Sequence, residues 1–362
     1  MVNLNTTERQ VRLRSLDLAR GMAVLFMVMV HVLIKYGNYA ANNTPVGKVI
    51  QVLGGPPAAP VLMFLMGVSL SFSKRATLAR SLKRGGKLFL LAYLLNCLRG
   101  TLPAFIGLNL GVITPGDILP YTPRLLFGVV DILQLAGLAL IILALIRRLM
   151  PWPLAWLILA AAVAVGSPPL WGRMSGWPPL DGLLTLLWGT GDFVAFPLFP
   201  WLSYPLSGMA FGVWLASSTD QDALFRRAAG FGLALLLLGA LIISTNPAFQ
   251  FGDYYRAGPG AAAAMTGFVL MWLAACHWLV KHIPANSLFN LFYEWSARVT
   301  SFYCIHWIII GWGVGLVGYQ NQEIRVLILL MIVVAVLTDQ TTRLWMRLGR
   351  RLALAAGTLG TA

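Results

Sequence analysis

Four ionisable residues lie in one largely apolar stretch near the N-terminus, RSLDLARGMAVLFMVMVH, which covers residues 14–31 and begins with Arg14. Asp17 and Arg20 lie at its beginning, and His31 ends it. Arg20 and His31 are 11 residues apart, which in an α-helix is about 16 Å along the axis. An imidazole titrates near neutral pH and commonly acts as a general base, and a histidine inside a membrane by default indicates a site. The run therefore predicts a helix that carries chemistry.

Each of these residues also has an interpretation without a function. Ser15 could cap the helix, and Asp17 would then favour the positive end of the helix dipole. Arg20 could reach back to the headgroups or pair with Asp17 at i, i+3. His31 could bond to a neighbouring backbone group or lie at the level of the headgroups. The sequence leaves both kinds of interpretation open.

A second polar pair lies in the apolar run LLFGVVDILQLAGLAL, where Asp131 and Gln134 are one helical turn apart. Their predicted depth overlaps that of His31. A carboxylate beside the imidazole would fix its tautomer and favour its protonated form, as in an effective general base. The alternative is an interhelical hydrogen bond or a salt bridge from Asp131 to Arg99 or Arg124.

The remaining histidines and cysteines predict no metal site. His306 lies in the apolar run SFYCIHWIII, where it could face the same cavity as His31 or serve as a packing residue. The three cysteines fall inside apolar runs without paired spacing, at Cys97, Cys276 and Cys304. Neither residue type shows the ligand spacing of a zinc site.

Composition places these residues in a membrane. The chain has 362 residues, of which 58% are hydrophobic and 11% charged, and its mean hydropathy is +0.76. These values exclude a set of soluble domains. In a soluble chain the net charge of +15 would suggest nucleic acid. A membrane chain instead concentrates Lys and Arg in its cytoplasmic loops. We therefore predict that the protein lies in a lipid bilayer and has no nucleic-acid partner.

The fold class predicted is an all-α polytopic membrane protein with about 10 transmembrane helices, since a span needs about 20 mostly apolar residues. The segments are 16–36, 49–73, 86–104, 122–146, 152–168, 193–217, 225–246, 260–280, 298–318 and 324–340. With a cytoplasmic N-terminus, most of the 27 lysines and arginines fall on the cytoplasmic side. We expect one integral-membrane domain over residues 1–362, with short basic cytoplasmic tails at 1–15 and 341–362.

Several segments, in order, resemble the transmembrane acyltransferases, a group that includes the acyltransferase-3 proteins and the heparan-alpha-glucosaminide N-acetyltransferase-like proteins. The first is the helix with the Arg20-x10-His31 spacing. The others are APVLMFLMGVSLSFSKR (59–75), VVDILQLAGLAL, FPLFPWLSYPLSGMAFG (196–212) and the helix that bears SFYCIHW. The chain departs from the group at Leu135, where the ILQR-type segment would have an arginine, and in lacking a large lumenal domain. We expect a multi-pass protein of a bacterial inner (plasma) membrane.

The resemblance implies transfer of an acyl group, acetyl in the first instance, from cytoplasmic acyl-CoA to a sugar hydroxyl or amine on the far side. His31 would be the general base, with Asp131 orienting its ring. Arg20 and the basic run 74–87 would attract the phosphates of coenzyme A, because arginine presents a fork that matches phosphate. Gln134 or Ser69 would stabilise the oxyanion. The residues predicted to bind the donor are Asp17, Arg20, Arg75, Lys83, Arg84 and Gln134.

Acceptor binding is predicted for His306, Ser69 and Trp188. Trp188 lies in the longest extracytoplasmic loop, 169–192, which is rich in Trp, Gly and Pro and could be a lid or a re-entrant element. Tryptophans there could stack on a sugar or anchor the loop at the interface.

Two other classes of protein remain possible interpretations of the sequence. The oligomeric state is also open, and a homodimer is one possibility. A proton-coupled transporter or flippase would also use intramembrane charges and broken helices, such as the segment interrupted by Pro56, Pro57 and Pro60. A structural or partner-binding subunit would explain the Trp and Gly content but assigns His31 no role.

Overall fold

The computed structural model describes residues 6–72, 77–118 and 120–359, and over this part of the chain it contains helices and no β-strand. Eight helical stretches of the described residues are long and apolar enough to cross a membrane. They are Arg14–Tyr36, Pro45–Phe72, Leu78–Asn109, Ile132–Leu149, Gln221–Thr245, Pro259–His282, Val299–Val317 and Ile324–Gly349. The protein is therefore an all-α polytopic membrane protein, as the composition predicts.

The principal helices are numbered here in chain order. They are α1 (Thr6–Tyr36), α2 (Pro45–Gly54), α3 (Ala59–Phe72), α4 (Leu78–Asn96), α5 (Leu102–Asn109), α6 (Ile132–Leu149), α7 (Pro153–Gly166), α8 (Ser203–Ser217), α9 (Gln221–Thr245), α10 (Pro259–His282), α11 (Ser287–Ala297), α12 (Val299–Val317) and α13 (Ile324–Leu359). Shorter helical segments are Tyr39–Asn43, Pro115–Ile118, Pro123–Phe127, Pro168–Leu170, Pro178–Trp188, Leu198–Trp201 and Pro247–Phe251. A π-helical turn, Cys97–Thr101, joins α4 to α5.

Each predicted segment coincides with one or two of these helices. The proline break in the second segment is confirmed, because α2 ends at Gly54 and α3 begins at Ala59. Two helices, α7 and α8, have 14 and 15 residues, fewer than the roughly 20 that span a bilayer. The count of ten crossings, the orientation and the cytoplasmic termini therefore stay predictions.

Helix α1 lies at the centre of the bundle and contacts α2, α3, α10, α11, α12 and α13. It begins at Thr6, well before the predicted start at residue 16. Ser15 and Asp17 consequently lie in the interior of the helix, and the interpretation of Ser15 as its cap is wrong. The polar residues of this early part extend the helix beyond its apolar run.

The predicted segment 122–146 is interrupted, which changes the place of Asp131. A short helix ends at Phe127, and α6 begins at Ile132 with Asp131 as its N-cap. The Asp131 carboxylate accepts from the Ile132 amide at 2.7 Å, and Gln134 Oε1 accepts from the Asp131 amide at 3.1 Å. This is a capping box, which satisfies amides that a helix start leaves free. The prediction that Asp131 lies within a helix is therefore wrong.

Two glycines allow backbones to approach α1 and α12 closely. A Cβ atom added to Gly311 in α12 would lie 2.0 Å from the carbonyl oxygen of Arg99 in the π-helical turn. A Cβ atom added to Gly21 in α1 would lie 2.2 Å from the carbonyl oxygen of Phe292 in α11. Only glycine permits these contacts. The π-helical turn and α11 are thereby held against the helices that carry the candidate site.

Candidate active site

His31 on α1 and His306 on α12 form a hydrogen-bonded pair. The His31 Nδ1 atom lies 2.8 Å from His306 Nε2, and the two ring planes are within 7° of each other. His306 Nδ1 lies 3.1 Å from the carbonyl oxygen of Phe302. A carbonyl can only accept, so His306 Nδ1 carries a proton, and Nε2 of the neutral ring accepts. In a neutral pair His31 Nδ1 therefore donates, and His31 Nε2 keeps an unshared lone pair.

The environment of the pair differs between the two rings. His306 is fully buried, whereas the His31 side chain is partly exposed. The Trp307 ring lies 4.2 Å from the His31 ring, measured between centroids, and also has the Arg99 guanidinium over it at 4.5 Å. Lys35, one turn beyond His31 on α1, has its Nζ 6.0 Å from the Trp307 centroid. His31 is thus the member of the pair open to a reactant, and cations flank it.

Asp131 lies in a separate buried ion pair. Its Oδ2 atom is 2.6 Å from Nη1 of Arg99, and Tyr303 donates a hydroxyl hydrogen bond to the same oxygen at 2.8 Å. The structure therefore gives Asp131 the salt bridge to Arg99 that the sequence left as an alternative. Its contacts with protein groups go to Arg99, Tyr303 and the start of α6, and the partner of the His31 ring is His306.

Asn96 joins this ion pair to the interrupted segment before α6. Its Oδ1 accepts from Arg99 Nη2 at 2.9 Å, and its Nδ2 donates to the carbonyls of Phe127 and Val129 at 2.9 and 2.7 Å. Backbone outside regular helix can lie at membrane depth only where protein groups satisfy it. Asn96 provides hydrogen bonds for two of these carbonyls. Arg99, which pairs with Asp131, lies in the π-helical turn, a type of turn often found at functional sites.

Arg20 forms the centre of a second polar cluster. Its Nη1 donates to Asp17 Oδ1 at 2.9 Å and to Ser296 Oγ at 3.0 Å, and its Nη2 donates to Ser69 Oγ at 3.2 Å. Ser296 in turn donates to Asp17 Oδ1 at 2.7 Å. The i, i+3 pairing of Asp17 with Arg20 is therefore present. Ser69, predicted to act on an oxyanion at His31, lies instead at the Arg20 end of α1.

Of the other described residues predicted to bind the donor, Arg84 lies close enough to Arg20 for the two positive charges to interact. Lys83 and Arg84 are exposed near the start of α4, whose N-cap is Thr77. Arg75 lies outside the described residues. Gln134 is fully buried, and its amide donates to the Val129 carbonyl at 2.9 Å while also accepting from Asp131. Gln134 thus has a structural role. Both polar atoms of its side chain are engaged in these bonds, which does not favour the predicted role at an oxyanion.

The predicted outer loop is partly helical, because it contains Pro178–Trp188. Trp188 Nε1 donates to the Arg173 carbonyl at 2.8 Å, so its polar atom is used within the loop. The Asp181 carboxylate accepts from Ser175 and Gly176, and these bonds hold the pKa of Asp181 below its ordinary value. The loop is therefore held together by its own hydrogen bonds, and Trp188 makes one of them.

Sequence reasoning missed Asn96, Tyr303 and Ser296 as members of these clusters, and it gave Arg99 only as an alternative partner of Asp131. Asn96 and Arg99 are polar residues three apart in an apolar run, which is the same signal that identified Asp131 and Gln134. Tyr303 is one turn before His306 and packs edge-on against it. Ser296 carries no comparable signal, since it lies in a polar stretch between apolar runs.

The family model described as "Heparan-alpha-glucosaminide N-acetyltransferase, catalytic" matches residues 12–243 of the chain. The matched part includes the α1 residues of both candidate clusters, the π-helical turn and the start of α6. His306, Tyr303 and Ser296 lie beyond it. No curated protein matches the chain.

Proposed function

The chain belongs to the heparan-alpha-glucosaminide N-acetyltransferase family of membrane acetyltransferases, and from that premise we propose that it moves an acetyl group from cytoplasmic acetyl-CoA to a sugar hydroxyl or amine on the opposite side. The observation that carries the proposal is the hydrogen bond from His31 Nδ1 to His306 Nε2, which leaves His31 Nε2 free as a base. Nothing in the family match or the described contacts favours the alternative of a transporter or flippase.

The reaction begins with proton transfer to His31 Nε2. The acceptor oxygen or nitrogen loses this proton as it attacks the thioester carbonyl, and the acetyl C–S bond then breaks. The thiolate of coenzyme A leaves and takes the proton from His31 Nε2, which restores the neutral imidazole. During the step His31 is an imidazolium, and the Nδ1–H bond to His306 stabilises that charge more than it stabilises the neutral ring.

Asp131 acts in this proposal as a positioning residue. Its carboxylate holds Arg99, whose guanidinium lies over the Trp307 ring that packs on His31. A buried arginine without this partner would be strongly unfavourable in the low-dielectric interior. Asp131 therefore acts on His31 indirectly, through Arg99 and Trp307. The sequence had suggested a direct contact between Asp131 and the imidazole instead.

Arg20 is the donor-binding residue of the proposal. Asp17, Ser69 and Ser296 hold its guanidinium in place, and an ordered guanidinium fork matches the geometry of phosphate. Arg20 lies about 16 Å from His31 along α1, a separation that the slender pantetheine arm would cover. Lys83 and Arg84 add positive charge for the nucleotide end from exposed positions on α4.

The experiment compares donor binding with transfer in purified protein. Acetyl-CoA and an α-glucosaminide are the probes, and release of the coenzyme A thiol is followed with time. We expect His31→Ala to abolish transfer and to retain acetyl-CoA binding, whereas Arg20→Ala weakens binding. His282→Ala, an exposed histidine at the end of α10, is the matched control. Transfer by His31→Ala at the parent rate would contradict the assignment of the base.

A second experiment tests whether the acetyl group is transferred across the membrane, and in which direction. Sealed vesicles of known orientation receive acetyl-CoA on one side and the glucosaminide on the other. Acetylation should require the donor on the side of the α1 N-terminus and the acceptor opposite. Acetylation only when both are on one side would refute transfer across the membrane while leaving the acetyltransferase activity itself intact. The assignment to a bacterial inner membrane stays a prediction.

A further inference from the structure

An apolar groove of about 640 Å³ lies on the face of the bundle formed by α1, α2, α11 and α13. Its floor is buried and includes Ile50 and Met331, whereas its two rims are exposed valines and isoleucines, among them Val49 on α2 and Ile332 on α13. In a membrane this surface faces hydrocarbon. The groove is thus a continuous apolar channel open to lipid.

The groove is separate from the candidate active site. Leu25 and Met29 of α1 line it, and they lie on the helix face opposite to Arg20 and His31, since each residue advances the direction by about 100°. A ligand in the groove therefore has α1 between itself and the imidazole. The groove is not a passage for the acetyl donor.

The length of the groove matches one leaflet of a bilayer. Along α13 it extends from Ile328 to Gln340, which is about 18 Å in an α-helix. Half of a hydrocarbon core of about 30 Å is about 15 Å. A single acyl chain of one leaflet would therefore lie along it from end to end.

The end of the groove nearest the α1 N-terminus becomes polar. Asp339 and Gln340 line it there. The Asp339 carboxylate accepts from Trp295 Nε1 at 3.0 Å and from Arg343 Nε at 2.7 Å. Two hydrogen bonds, one of them from a cation, thus offset its negative charge. A negatively charged group placed beside it would meet the arginine and the Gln340 amide.

Beyond this end, α13 presents basic residues in line with the groove. Arg343 and Arg347 follow Asp339 at steps of four residues, so they share its helix face. Arg343 also pairs with Glu294 at 2.6 Å. Arg347 is exposed and, within the described part of the chain, makes no ion pair. An exposed arginine therefore lies just outside a groove of the length of an acyl chain.

We propose that this groove binds one anionic phospholipid, with an acyl chain between α2 and α13 and its phosphate at Arg347 and Arg343. Basic groups at the mouth of a cleft between transmembrane helices are suited to acidic headgroups. A zwitterionic lipid would offer the same chains to the groove but would pair less favourably with Arg347. The site is independent of the acetyl-transfer reaction and goes beyond the proposed function.

The test uses native mass spectrometry of the full chain in detergent, with phosphatidylglycerol and phosphatidylcholine of identical acyl chains added in equal amounts. We expect one phosphatidylglycerol to be retained in preference to phosphatidylcholine. Arg347→Gln should lower this retention about fivefold, the typical effect of one basic residue near an acidic surface. Ala335→Phe, which adds a ring within the groove, should lower retention of both lipids.

Two matched variants separate the groove from general effects. Arg227→Gln removes an exposed arginine on α9, and Ala240→Phe enlarges an exposed alanine on the same helix; both should retain phosphatidylglycerol as the parent does. Equal retention of the two lipids by the parent, or equal loss in the variants and their controls, would overturn the proposal. A lipid-free dimer that Ala335→Phe converts to a monomer would also overturn it, because a second copy would then occupy the groove.

Discussion

Replacing His306 by leucine should slow acetyl transfer by about 10- to 100-fold. The substitution removes the acceptor of the His31 Nδ1 hydrogen bond, 2.8 Å long in the structure. That bond strengthens when His31 becomes an imidazolium, and hydrogen bonds to charged groups contribute about 1.5–3 kcal/mol. Since about 1.36 kcal/mol corresponds to a tenfold change in rate, this range gives the expected loss.

The assay is thiol release at saturating acetyl-CoA and saturating acceptor, together with separate measurement of acetyl-CoA affinity. The loss should appear in kcat, because the His306 bond is stronger in the transition state than in the ground state. Donor affinity should not change, because Arg20 is about 16 Å along α1 from His31. His306→Gln should recover part of kcat, since its amide oxygen can accept from His31 Nδ1.

Two results would refute the reasoning about His306. One is a kcat for His306→Leu within about twofold of the parent, which would mean that the pairing contributes nothing in the transition state. The other is an equal loss in the Leu and Gln variants accompanied by an equal fall in Tm, which would indicate a packing role only. His282→Leu, at the exposed end of α10, provides the control for loss of a histidine.

Two predictions concern stability in detergent, measured by thermal unfolding. Gly311→Ala should cost about 1–3 kcal/mol, because its Cβ would lie 2.0 Å from the Arg99 carbonyl oxygen, whereas Gly315→Ala, with nothing within 4 Å, should not lower the Tm. An unchanged Tm for Gly311→Ala would contradict the close contact. Asp131→Asn should cost about 3–5 kcal/mol, because it leaves Arg99 buried without its counter-charge. Asp253→Asn, in a more exposed ion pair, should cost less; equal losses would count against the buried pair.

The sequence was sufficient for the class of protein and for the placement of the polar residues along α1. Apolar segments of membrane length and few charges leave a helical bundle as the available fold, because backbone groups in lipid must be satisfied within each segment. The 11-residue spacing of Arg20 and His31 places both on one face of the helix, since 11 residues make about three turns. These features depend on local periodicity, which is readable without the fold.

The interruptions of the helices were harder to predict from the sequence than the helices themselves. Asp131 was expected inside a helix because the apolar run continues through it, yet the capping box with Gln134 begins α6 at Ile132. A capping signal and a polar pair one turn apart look alike in the sequence. Which of the two forms depends on Asn96, whose amide satisfies the carbonyls of the interrupted backbone.

The partners of the candidate catalytic and donor-binding residues were decided by tertiary structure alone. His31 pairs with His306, 275 residues away, and Arg20 binds Ser296, 276 residues away. Such pairings require a particular arrangement of α1, α11 and α12, which glycines at close contacts permit. A sequence shows which side chains are costly to bury in a membrane, because that cost is a property of the residue. Which partner offsets the cost depends on helix packing, and packing joins residues that the chain keeps far apart.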